Sequence, residues 1–240
     1  MGDADQLKHA AARAALEYVR SGTVIGVGTG STATAFIEEL ARSGLALAGA
    51  VASSEQTAEH LARHKIPVIG LNEAGRLPLY VDGADEADHA LRLIKGGGGA
   101  LTREKIVASA ADLFVCIADE TKLVRRLGGH PVPLEVISLA REQVVREVIS
   151  LGGTPRPRRG FVTDNGNEIL DVEDLDLTDP LEMESVLEVI PGVLACGLFV
   201  RRPADVLLLG THRGTRRFER PVPGPTADHA PGPANETTAQ

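Results

Sequence analysis

The chain predicts an α/β protein, a Rossmann-like parallel-sheet domain plus a smaller ferredoxin-like α+β domain. Three observations lead there. Short apolar runs such as TVIGV (residues 23–27), LFVCIA (113–118) and DVLLL (205–209) have no polar face, as strands covered on both sides require. In the first half such runs alternate with helical stretches, the order of a parallel sheet with crossover helices. After Pro131 the order changes to strand, helix, strand, strand, helix, strand, which is the split βαβ arrangement.

Gln6 to Arg20 reads as a helix and Thr23 to Val27 as a buried strand. Ser31 to Ser43 follows as a helix with hydroxyl residues at its start, where free N–H groups want acceptors. Ala48 to Ala52 is the next strand and Ser54 to His64 the next helix. Val68 to Leu71 and Leu79 to Val81 read as short strands, Thr102 to Ala111 as a helix and Leu113 to Ala118 as a strand. The second unit begins with strand Leu134 to Ile137 and helix Leu139 to Leu151. Two strands come next, near Pro155 to Val162 and at Glu168 to Val172, then helix Leu181 to Ile190 and strand Val193 to Phe199. Asp205 to Leu209 returns to the first sheet. The expected domains are therefore 1–130 with 204–212, and 131–203. From Arg213 the composition turns to Pro, Ala and polar residues, so 213–240 is expected to be a disordered Pro-rich tail.

A net charge of −8 argues against general affinity for nucleic acid or anionic membrane, so an anionic ligand needs a local positive pocket. Aromatic content of 3%, with no Trp, leaves little for stacking on bases. Cys116 and Cys196 each sit in an apolar run and read as buried small hydrophobes rather than a disulfide or thiolate metal site. No secretory, myristoylation or membrane-spanning pattern stands out, so a cytoplasmic enzyme or sensor is expected.

The segment GVGTGST, residues 26–32, joins a strand to a helix. Its glycines admit close backbone approach and the helix start offers N–H groups to an anion; hydroxyls of Thr29, Ser31 and Thr32 add donors. The spacing is neither the dinucleotide fingerprint nor a Walker loop, and a plain tight turn is the competing reading. Asp82 and Asp85 flank Gly83 and Ala84 just after a strand, where open α/β sheets place ligands. An Asx-turn with one solvated acid explains them equally well. Metal binding is weaker, since His89 stands alone and His60 and His64 suit a solvated helix face.

Lys95 precedes Gly96, Gly97, Gly98 and Gly99, and Glu104 falls in the first turn of the next helix. The glycine N–H groups and Lys95 can stabilise an oxyanion, while Glu104 can carry a proton. That is the minimal machinery for aldose–ketose isomerisation through an enediolate. A lone acid at a helix start equally well complements the dipole. Arg103 and Lys105 read as serving solvent or local pairing. Lys8 and Lys122 could neutralise a phosphate, although lone lysines are usually solvated.

Taken in order, GVGTGST, YVDGADE, IKGGGGALTREKI, CIADETK, PVPLEVI, FVTDNGNEILDV and IPGVLACGLFVRRPADVLLLG resemble the ribose-5-phosphate isomerases of type A, over roughly Gln6 to Thr211. The resemblance implies interconversion of D-ribose 5-phosphate and D-ribulose 5-phosphate, in the pentose phosphate pathway, without metal or organic cofactor. It implies Glu104 as the base between C1 and C2, Asp82 in ring opening, and Asp85 and Lys95 at the O1/O2 region. Thr29, Gly30, Ser31 and Thr32 match the family's substrate loop, and Gly83, Ala84, Gly96, Gly97 and Gly98 belong to its matching motifs. Lys8 and Lys122 match pocket cations. A homodimer or homotetramer is implied. A CoA transferase of similar fold would leave the paired acids without a role. A sugar-phosphate sensor of the repressor kind would need a helix-turn-helix, and only about twenty residues precede the first strand.

Overall fold

The structure, a computed structural model, describes residues 2–220. Helix α1 (Asp3–Ala15) leads to β1 (Val24–Val27), α2 (Ser31–Ser43), β2 (Gly49–Ala52), α3 (Glu55–Arg63), α4 (Leu71–Ala74) and β3 (Leu77–Asp82). Two short strands follow, β4 (Glu86–Ala87) and β5 (Leu93–Ile94), then α5 (Leu101–Ser109) and β6 (Ala111–Asp119). The second unit contributes β7 (Val132–Val136), α6 (Arg141–Ser150), β8 (Thr154–Pro157), β9 (Glu168–Glu173), α7 (Pro180–Glu188) and β10 (Val193–Cys196). The chain then passes through β11 (Leu198–Phe199), β12 (Val206–Thr211) and β13 (Gly214–Glu219).

The main sheet has the order β13-β12-β6-β3-β1-β2, parallel except for β13. Its strands bury both faces by simple alternation. Leu79 and Val81 of β3, with Val115 and Ile117 of β6, pack on Phe36 and Leu40 of α2 and the alanines of α1. Tyr80, Phe114 and Cys116 point the other way, toward Val107 and Ala108 of α5. The sequence therefore lacks a polar register in these strands, because neither face meets water.

The second sheet, β10-β7-β9-β8, is antiparallel with α6 and α7 on one face, as a ferredoxin-like order demands. Val132, Leu134 and Val136 of β7 face Val144, Val148 and Leu187. The opposite face is partly covered: Ile169 and Ala195 pack with Phe161 on Leu101, the first residue of α5. The small sheet thus presses directly on the helix that carries Glu104.

Four expectations need correction. Gly214 to Glu219, placed in the tail, forms β13, paired with β12 through Thr211↔Gly214 to Val206↔Glu219. Its alternating Arg216, Phe218 and Arg217, Glu219 hid a strand inside a polar composition. Residues 221–240 of the expected tail lie outside the described residues. The strand expected at Val68 to Leu71 reduces to a bridge from Val68 to Ala50 before α4. Val193 to Phe199 is broken at Gly197, whose Cβ would lie 2.3 Å from the Lys95 carbonyl oxygen. The residues beyond the break form β11, which pairs with β5, and β5 with β4, in a third sheet too short to show a period in sequence. The strand expected from Pro155 to Val162 ends at Pro157.

Candidate active site

The carboxyl ends of the parallel strands converge on one cleft of about 410 Å3. Thr29 follows β1, Asp82 ends β3, Asp119 ends β6 and His212 follows β12. This is where a doubly wound sheet opens a crevice.

The loop after β1 is built around Asp82. Gly28 donates its N–H to the Val81 carbonyl at 2.9 Å, and a Cβ there would fall 1.8 Å from Asp82 Oδ1. Only glycine leaves room for the carboxylate. Thr29 N–H then donates to Asp82 Oδ1 at 3.1 Å. Gly30 takes φ +100° and opens α2, whose first turn has no side-chain cap, so its N–H groups remain available to an anion. Ser31 and Thr32 line the cleft beside them. The Thr29 hydroxyl, expected as a ligand donor, is instead held by Ser53 and Ser54 at 2.8 and 2.9 Å.

Asp82 is fully buried. It accepts from Tyr80 Oη, from Gly83 N–H at 2.7 Å and from Thr29 N–H, and pairs with Lys95 Nζ at 2.8 Å. With its oxygens so occupied, it stands behind the cleft wall rather than among the lining residues. Its geometry fits it to hold Lys95.

Lys95 is almost completely buried. Its Nζ donates to the Gly83 carbonyl at 2.6 Å and lies 3.3 Å from Glu104 Oε2. Burial pulls the ammonium down, but the Asp82 and Glu104 carboxylates outweigh it and raise it above the usual lysine range. Glu104, in the first turn of α5, is 4% exposed. Burial, then the nearby Asp82 charge, pushes its carboxyl up to about 8, against the lowering pull of Lys95. Its Oε2 has ionic contact with Lys95 yet no aligned hydrogen bond. A buried carboxyl with an open oxygen, titrating near neutrality beside a fixed cation, has the properties of a general base.

Asp85, half-buried, accepts the Gly97 N–H at 2.7 Å. Gly99 N–H donates to the Gly96 carbonyl at 2.8 Å, so two of the four glycine N–H groups are committed inside the protein. The expectation of a glycine oxyanion cradle is narrowed to Gly96 and Gly98, with Lys95. Gly83, Ala84, Gly96, Gly97 and Gly98 all line the cleft, and Lys8 and Lys122 stand in its wall. Among the described residues Lys8 has one distant charged partner, Asp5, at 3.8 Å.

The family described as ribose 5-phosphate isomerase A (phosphoriboisomerase A) matches residues 49–214. The ribose-5-phosphate isomerase A of Bordetella avium is 57% identical over 219 residues, covering 90% of this chain and 98% of that protein. The chain belongs to the ribose 5-phosphate isomerase A family. It is an enzyme of the aldose–ketose isomerase class. The crystal structure of ribose 5 phosphate isomerase A from Neisseria gonorrhoeae superposes with a TM-score of 0.90 at 50% identity, covering 92% of this chain and all of that one. A D-ribose-5-phosphate isomerase in complex with phospho-erythronic acid gives 0.87 at 38% identity, covering 91% of this chain and 100% of that one.

Several residues of this isomerase escaped the sequence reading. Tyr80, Asp119, Thr121 and His212 surround or support the cleft, and the strand-end rule applied to β6 and β12 would have found Asp119 and His212. Lys105, expected at solvent or in local pairing, is paired: it is tied to Glu184 and Glu188 at 2.6 Å each and to the Leu198 carbonyl at 2.7 Å. Arg103 reaches Glu55 at 2.8 Å and the Asp164 carbonyl at 3.0 Å. Glu104 is therefore flanked by two anchored cations. Glu184, Glu188 and Cys196 bring metal-ligand atoms together, but the Lys105 ammonium sits among them and burial pushes the Cys196 thiol up to about 12. An ammonium takes the place a metal would.

Proposed function

We propose that the protein interconverts D-ribose 5-phosphate and D-ribulose 5-phosphate through an enediolate, with Glu104 carrying the proton between C1 and C2. The observation that carries this reading is the Glu104–Lys95 contact at the floor of the cleft. Moving a proton from a carbon beside a carbonyl needs a base and a positive group for the oxygen that becomes negative, both shielded from water. Glu104 supplies the first. Lys95 supplies the second, with Asp82 holding its ammonium in place. Asp85, fixed by Gly97, faces the sugar's O1/O2 end together with Lys95.

The far end of the cleft suits the phosphate. The uncapped start of α2 at Ser31 and Thr32 offers N–H groups, and Lys8 and Lys122 offer charge. The reaction places the protein in the non-oxidative branch of the pentose phosphate pathway. Its reduced, buried cysteines suit the cytoplasm. A homodimer or homotetramer is the assembly that the family resemblance implies.

A direct isomerisation assay with ribose 5-phosphate tests the reading. The wild-type protein turns over, and Glu104→Gln binds the substrate yet loses nearly all turnover. Full activity in Glu104→Gln removes the base assignment.

A further inference from the structure

Arg158 follows β8 in the small domain, yet its guanidinium reaches the glycine run of the larger one. Its Nε donates to Asp171 Oδ2 at 2.9 Å and its Nη2 to Asp171 Oδ1, a two-pronged pair that fixes the plane of the group. The third nitrogen, Nη1, is thereby aimed at the carbonyls of Gly97 at 3.0 Å and Gly96 at 3.3 Å. The side chain is 18% exposed. Beneath it lies the Phe161 ring, 5.4 Å from the guanidinium carbon. The same ring fills the space that a Cβ on Gly99 would need, at 2.2 Å. Both ends of the glycine run are held from the small domain.

The Gly96 carbonyl and the Gly97 N–H belong to one peptide unit. That unit is planar and trans, so the two groups point in opposite directions. Drawing the carbonyl toward Arg158 turns the N–H toward Asp85, which it meets at 2.7 Å. A Cβ on Gly97 would lie 2.7 Å from Asp85 Oδ1, so the backbone comes as close to the carboxylate as glycine allows.

We propose that Arg158 is a positioning residue for the isomerisation, acting through the Gly96–Gly97 peptide to orient the Asp85 carboxylate. The small domain thereby sets the geometry of a group in the cleft of the larger one. The inference rests on the assignment of Asp85 to the substrate.

A double-mutant cycle tests it, with kcat and KM measured for Asp85→Asn, Arg158→Met and the pair. Each single change lowers kcat/KM by about tenfold to a hundredfold, the scale of a displaced positioning group. The pair is no worse than Asp85→Asn alone to within about twofold, since the second change acts through the first. Arg158→Lys recovers little, because an ammonium cannot hold Asp171 and a carbonyl in one plane. If Arg158→Met fails to fold, Asp171→Asn takes its place in the cycle, with the same expectation. Losses that multiply independently, wild-type kcat/KM in Arg158→Met, or full recovery in Arg158→Lys overturns the inference. Wild-type kcat/KM in Asp85→Asn overturns the Asp85 assignment itself, and the inference with it.

Discussion

Glu104 Oε2 lies 3.3 Å from Lys95 Nζ in a site where both side chains are almost entirely buried. The two groups are matched in charge, but the ammonium gives its shortest bonds to the Gly83 carbonyl and Asp82, which leaves the Glu104 oxygen open. A base in that state is restrained without being consumed.

Lys95→Met is therefore expected to damage both chemistry and stability. Losing the buried cation beside Glu104 is expected to lower kcat by about 10²–10³, the effect of removing one preorganised oxyanion donor. Asp82 is left buried with no counter-charge, which costs roughly 3–5 kcal/mol. Steady-state kinetics and denaturant melts check the two effects separately. A variant of wild-type stability contradicts the buried-pair account.

The pH dependence follows from the Glu104 carboxyl, pushed up to about 8. The base works when ionised, so kcat/KM rises with pH and levels off above that value. The stability sign is the reverse. Between the ordinary carboxyl range and about 8 the folded state binds a proton that the unfolded state has lost, so stability falls as pH rises through this window. Glu104→Gln removes that part of the slope, and melting curves from pH 5 to 9 for the two proteins read it directly. Parallel curves contradict the raised carboxyl.

Gly28→Ala places a methyl group 1.8 Å from Asp82 Oδ1, inside the carboxylate. Asp82 must move, and Lys95 loses its anchor. Activity falls by about a hundredfold or more on the scale of a 1 Å misplacement. Gly30→Ala meets no atom within 4 Å, although φ +100° strains it, so its defect is the smaller of the two. Equal losses in the two variants contradict this.

Ending the chain at Arg213 removes β13 and leaves β12 as an unpaired edge over six residues. We expect the melting temperature to drop by roughly 2–8 °C, as a loss of about 1–2 kcal/mol produces in a chain of this size. An unchanged melting temperature shows that the hairpin contributes nothing.

The parallel sheet was legible because alternation puts apolar residues on both faces of β1, β3, β6 and β12. The small domain was legible from the order of its elements. Glu104, Lys95 and Asp85 stood out because the glycine run marks close approach. What escaped was set by contacts between residues far apart in sequence. Nothing local in PRPRRG tells that Arg158 reaches Gly96, or in REKI that Lys105 is tied to Glu184. Asp82 was legible as a strand-end acid facing a pocket, but only the packing of Tyr80, Thr29 and Lys95 around it shows it fully buried. β13 was hidden because an edge strand with one exposed face is written in polar residues.

The central claim is that Glu104 moves a substrate proton. It is tested most directly by incubating ribose 5-phosphate with the enzyme in deuterated water and following the C2 proton by NMR. The account predicts that the wild-type protein removes the C2 proton of ribose 5-phosphate, carrying it to C1 or exchanging it for deuterium, and that Glu104→Gln, still binding the sugar phosphate, leaves it in place. Loss of the C2 proton at the wild-type rate in Glu104→Gln would contradict it.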